Sequence, residues 1–212
     1  MDLLLAIVLG FIMSAIGTSL PGLLNMTAAK VGLRDGRKRG VIFSLGATTV
    51  VFFQTYIAVS FAIFINSNPD IIDLLQEIGL AIFTILTIYF LFIAKKPVTK
   101  EAEETVNVKS KTGRFFLGAL LSALNFFPIP FYVFSSITLS TYGYFHLDDH
   151  LFIFLFVLGV MIGSFTIFYL YILFFKNSHG NTDFFMRNIN YIIGSITGVI
   201  SIITLFRVIN NL

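Results

Sequence analysis

Two apolar runs in this chain are too long for one straight membrane crossing, and proline interrupts both. The first covers residues 3–33 and contains Ser19-Leu20-Pro21-Gly22-Leu23-Leu24-Asn25. The second covers 113–141 and contains Asn125-Phe126-Phe127-Pro128-Ile129-Pro130. A helix rises about 1.5 Å per residue, so a hydrocarbon core about 30 Å thick needs only about 20 residues. Proline inside a helix removes one backbone hydrogen bond and clashes with the preceding turn. The glycine beside Pro21 adds backbone freedom. Both runs are therefore expected to break and change direction. Two broken hydrophobic segments in matching positions of two halves point to a transport site near the bilayer midplane.

Composition names the solvent. Of 212 residues, 57% are hydrophobic and 12% charged, whereas a soluble domain is about 45–50% apolar and about 25% charged. Mean hydropathy is +0.91. Six apolar segments follow one another at 3–33, 40–65, 71–94, 113–140, 150–175 and 188–209. This pattern predicts an all-α integral membrane protein with six transmembrane helices, the first and fourth broken. The first segment carries Asp2 where a leader would be basic, and it has no small-residue cleavage site, so it reads as the first span. With no cysteine, disulfides and thiolate metal sites are excluded.

The basic residues set the orientation. Lys30, Arg34, Arg37, Lys38 and Arg39 flank the first connection. Lys95, Lys96, Lys100, Lys109, Lys111 and Arg114 lie in or beside the third, and Lys176 and Arg187 flank the fifth. The second connection, 66–70, and the fourth, 142–150, have none. Thus 13 of 14 Lys and Arg fall on one side, leaving only Arg207 outside. By the positive-inside rule the odd connections are cytoplasmic and both termini face outward. The same placement explains the net charge of +3 without a nucleic-acid partner.

The halves resemble each other. Leu9-Gly10 followed by Ser14-Ala15 matches Leu117-Gly118 followed by Ser122-Ala123. Ser44-Leu45-Gly46 matches Val157-Leu158-Gly159, Tyr56 matches Tyr169, and Gly79 matches Gly194. One half starts outside and the other inside, so the expectation is two inverted three-helix repeats, 1–94 and 113–212, joined by a charged cytoplasmic linker, 95–112.

Several residues are candidates for a site. Pro21, Gly22, Pro128 and Pro130 would free backbone groups to line a polar cavity, and half-helix N-termini suit a carboxylate. The plainer account is a pair of kinks in lipid-facing helices. Asn25 and Asn125 offer amide donors and an acceptor. They could bind substrate, cap freed backbone or bond a neighbouring helix. Gln54, with Thr48, Thr49 and Thr55, brings polarity to the second span; Gln54 could face the cavity while the threonines bond their own helix. Asp73 and Glu77 share a helix face. Glu77 is the candidate carrier of a coupling proton, although acids also simply favour a helix N-terminus. Lys30 either meets a substrate carboxylate or snorkels to the surface. His146 and His150, beside Asp148 and Asp149, could form a weak surface metal site but read more simply as a solvated outer loop. No nucleotide loop, catalytic triad or intramembrane metal cluster is found, so neither enzyme activity, cofactor nor metal is expected.

On these residues the chain resembles the LysE/RhtB family of amino-acid exporters. The resemblance rests on Pro21-Gly22, on Gly32-Leu33-Arg34-Asp35-Gly36-Arg37-Lys38-Arg39-Gly40, and on Ser44-Leu45-Gly46. In the second half it rests on Phe116-Leu117-Gly118, Leu124-Asn125 and the prolines that follow. Two places depart from the family pattern. Leu23 follows Pro21-Gly22 in place of proline, and Phe126 follows Asn125 in place of proline. The resemblance implies a multi-pass protein of the bacterial cytoplasmic membrane. It would export amino acids or similar small metabolites, driven by proton motive force. Its partners would be a small-molecule substrate and the lipid bilayer, and a homo-oligomer is compatible with this. The same scaffold could carry another small solute or a metal ion, and a non-transporting membrane protein is the third alternative.

Overall fold

The computed structural model describes residues 2–19, 22–68, 80–82, 84–85, 87–93 and 110–174, with scattered positions between 191 and 209. Pro21, Asp73, Glu77 and most of the 95–112 linker lie outside the described residues. All regular structure among those described is helical. The chain divides into two compact units. The first takes in Met1–Asn66 and Val106–Ser178, and so joins spans from both halves of the sequence. The second takes in Ser67–Thr105 and His179–Leu212. Its described part is helical and includes a π-helical turn, Tyr89–Ile93. There Thr87 packs close to Gly198.

Among the described residues, the first unit holds six helices: α1 (Asp2–Ser19), α2 (Leu23–Asp35), α3 (Arg37–Asn66), α4 (Lys111–Ala123), α5 (Pro128–Thr141) and α6 (His150–Phe174). Helices α3 and α6 are each long and apolar enough to cross a membrane, and the count rises to four spans if each bent pair is one span. The pair α1 and α2 is bent by 82°, and the pair α4 and α5 by 62°. The two overlong runs are therefore broken, as their prolines require. Pro128 sits at the first position of α5, where its missing N–H costs nothing.

Local chemistry fixes the other ends. Only Gly36 separates α2 from α3, and its φ of +92° is one that L side chains rarely adopt. The Ser110 hydroxyl caps α4 by accepting from the Gly113 N–H at 3.0 Å. Beyond α5, the Gly143 N–H donates to Ser140 O and the Tyr144 N–H to Leu139 O, a Schellman closure at φ +76°. Asp149 begins α6 with Oδ1 accepting from the Leu151 and Phe152 N–H groups at 2.9 and 3.1 Å. One acid of the 142–150 connection is thus a helix cap.

Helix contact is closest where side chains vanish. In lipid there is little hydrophobic drive between helices, so small residues that let backbones approach hold the bundle. A Cβ on Gly10 of α1 would collide with the Phe156 carbonyl of α6, and one on Gly159 with the Ile7 carbonyl of α1. A Cβ on Gly46 of α3 would collide with the Phe115 carbonyl of α4, and one on Gly118 with the Phe43 carbonyl of α3. In both crossings each glycine lies on the carbonyl three residues before the opposing glycine. Around them, Phe152, Phe156, Val157, Val160, Val59 and Tyr132 form one buried cluster, and Leu24, Ala28, Phe43, Ala47, Phe168 and Ile172 a second. The outer surface is apolar too: Phe116, Phe126, Phe134 and Leu4 are all more than half exposed. Such a face suits lipid, not water.

Candidate functional site

Each break strands carbonyls at the end of its first half-helix, and side chains from elsewhere satisfy them. At the first break, Asn25 reaches back from α2 and donates from Nδ2 to the Thr18 carbonyl at 2.6 Å. The Tyr171 hydroxyl of α6 donates to the Ser19 carbonyl at 2.8 Å and is also hydrogen-bonded to Asn25. At the second break, Gln54 of α3 donates from Nε2 to the Ser122 carbonyl at 3.1 Å and the Asn125 carbonyl at 2.9 Å. The Asn125 side chain accepts from the Phe127 N–H at 3.3 Å. A straight span from the other half of the sequence thus closes each break: α6 serves α1, and α3 serves α4.

Of the sequence candidates, Gln54, Asn125 and Pro128 meet at the second break. Pro128 is buried and Pro130 exposed. Gly22 precedes α2 in an extended conformation. Asn25 is buried at the first break, in the capping role left open above. Thr48, Thr49 and Thr55 bond carbonyls of their own helix. Lys30 is half-buried.

The two half-helices that leave the breaks differ in what they present. Neither α2 nor α5 has a side-chain cap at its N-terminus. In α5, Pro128 and Pro130 have no N–H, and the Ile129 and Phe131 N–H groups are bonded to the Phe126 and Phe127 carbonyls. Helix α2 starts with Leu23, Leu24 and Asn25, which all carry an N–H.

Three features escaped the sequence. Tyr171 is one of 8 tyrosines in a chain with 26 phenylalanines, and nothing local marks it. Ser14 and Ser164 meet at 2.6 Å between α1 and α6, and the Tyr132 hydroxyl bonds both. Arg114, counted above as a loop charge, is buried, and its Nη2 lies 2.5 Å from Asp35 Oδ2. That pair ties the end of α2 to the start of α4. The repeat spacing around Ser14 and Ser122 was the one available hint for the serines.

The family model of the LysE type translocator matches residues 15–206. The chain belongs to the LysE type translocator family. No curated protein and no solved structure matches it. Membership makes the chain a membrane protein that translocates small solutes. As a LysE type translocator it contains both breaks, Gln54 and Tyr171 within the matched region.

Proposed function

We propose that this protein exports an amino acid or similar small zwitterion across the bacterial cytoplasmic membrane, coupled to the proton motive force. Six spans in two inverted repeats would carry out the exchange of access. The observation that carries this reading is the pairing of the breaks, each closed by a polar side chain from a straight span of the other half. The matched glycine crossings support the repeat, because a pseudo-two-fold relation would exchange α1 with α4 and α3 with α6. Irregular backbone at membrane depth is tolerated where protein or a polar cavity satisfies it, and a solute can replace some of those contacts.

The difference between α2 and α5 suggests how the solute lies. A carboxylate favours a helix N-terminus with N–H groups to give. Helix α2 opens after Gly22 with Leu23 and Leu24, each carrying an N–H; α5 begins with two prolines and two bonded N–H groups. We therefore place the carboxylate at Gly22–Asn25 and the remainder of the solute toward Gln54 and Asn125. Glu77 is the proposed proton carrier. The reading is tested in cells. Deleting the gene should raise the internal level of one or a few amino acids, and overexpression should lower it. Unchanged amino-acid pools in both strains would refute the proposal.

A further inference from the structure

Ser122 closes the last turn of α4 and is fully buried, and its Oγ has no hydrogen-bond partner among the described residues. Gln54 is 7% exposed. Its amide nitrogen is held by two carbonyls, which fixes the direction of the amide, since an oxygen there would face two acceptors. Its Oε1 is also buried and also without a partner among the described residues. Buried polar atoms in native proteins are almost always satisfied, so two in one place call for an explanation.

The rest of the protein shows how a serine in this position can be satisfied. Ser14 stands four residues after Gly10, as Ser122 stands four after Gly118. Ser14 has the Ser164 and Tyr132 hydroxyls as partners. Ser164 stands five residues after Gly159; five residues after Gly46 the chain has Val51, which is buried. The protein has a hydroxyl at position 164 for one serine and an alkyl group at the matching position 51 for the other. Both orphan atoms can accept a hydrogen bond or coordinate a cation. They lie at the C-terminal end of α4, where the helix dipole favours positive charge.

We propose that Gln54 Oε1 and Ser122 Oγ form an acceptor site for a small monovalent cationic head, supplied either by the ammonium group of the transported solute or by a sodium ion. Only the first source rests on the transport reading above. The ion alternative stands independently of which solute moves.

The test is the thermal unfolding midpoint of the purified full chain in detergent, followed by circular dichroism. Sodium chloride or methylammonium chloride replaces choline chloride at constant ionic strength. One or both of the small cations should raise the midpoint saturably. Sodium alone identifies an ion site, and methylammonium alone an amine subsite. Ser122→Ala should weaken the apparent affinity roughly ten- to hundredfold, as loss of a hydrogen bond to a charged partner does. Val51→Thr, which adds a hydroxyl at nearly constant volume, should weaken it in the same direction by giving Ser122 a partner within the protein. Val51→Thr also decides the matter if Ser122→Ala does not fold. No saturable shift with either cation, or an undiminished shift in the variants that fold, overturns the proposal. A shift that obeys these rules in a protein that moves no amino acid would keep the cation site and sink the export reading.

Discussion

Gly118 of α4 lies against the Phe43 carbonyl of α3, and Gly46 of α3 lies against the Phe115 carbonyl of α4, so the two glycines set one backbone-to-backbone crossing. The same reciprocal arrangement joins Gly10 of α1 to Gly159 of α6. At such a contact any side chain forces the helices apart. Gly118→Leu and Gly46→Leu should each destabilise by about 1–3 kcal/mol or more, the cost of overpacking a close-packed interface. Leu120→Ala, at a position 57% exposed, is the control and should change little. Thermal unfolding in detergent reads the difference. A Gly118→Leu midpoint equal to that of Leu120→Ala would show that the crossing is not close-packed.

The Arg114–Asp35 pair predicts an order of effects. The side chain of Arg114 is 7% exposed and that of Asp35 21% exposed. Removing one member of a buried pair leaves the other charge uncompensated, at up to about 3–5 kcal/mol. Asp35→Ala strands the deeper group, whose Nε and Nη1 have no partner among the described residues. Arg114→Leu strands a carboxylate that water can still reach. Asp35→Ala should therefore cost more than Arg114→Leu, and Asp35→Ala with Arg114→Leu should recover part of the loss. Midpoints of all three variants equal to that of the unaltered protein would mean that the pair contributes nothing.

The capping groups can be tested without altering the backbone of the breaks. Tyr171→Phe removes one hydroxyl and leaves the exposed Ser19 carbonyl without that donor, a loss of about 0.5–1.5 kcal/mol. Gln54→Leu removes the donor shared by the Ser122 and Asn125 carbonyls and should cost more. Thr49→Ala breaks only a bond within its own helix and should be close to neutral. Unfolding midpoints measured side by side give the ranking. Thr49→Ala as damaging as Gln54→Leu would contradict the capping account.

Much of this was legible because single-residue properties decided it. Pro128 cannot continue a helix from the preceding turn, and α5 starts there. The Gly10, Gly46, Gly118 and Gly159 spacing was visible as a repeat, although their carbonyl partners were not. The caps were harder to read. An asparagine beside a break can bind a ligand or close the backbone, and choosing between these for Asn25 takes the 2.6 Å contact with Thr18. Gln54 was noticed for its polarity, but its partners at Ser122 and Asn125 lie far along the chain. Arg114 counted toward orientation like any loop charge, and only folding brings it to Asp35. Local rules reach one turn of helix; these partnerships depend on which spans become neighbours.

Orientation has a direct assay, since the chain has no native cysteine. The charge asymmetry predicts that an impermeant thiol reagent added to intact cells labels Asn68→Cys and His146→Cys but not Arg37→Cys. Labelling of Arg37→Cys alone would reverse the topology.

The central claim is that the paired breaks move an amino acid across the membrane. Its most direct test is efflux of preloaded labelled amino acids from proteoliposomes with an imposed pH gradient, across a broad panel of solutes. The account predicts that at least one leaves faster than from empty liposomes and that the gradient accelerates it. Matched amounts of Asn25→Ala and Asn125→Ala, which unmake the hydrogen bonds that close each break, should slow that efflux roughly tenfold or more, and Glu77→Gln should abolish its response to the gradient. If no amino acid in the panel leaves faster than from empty liposomes, the export account is wrong.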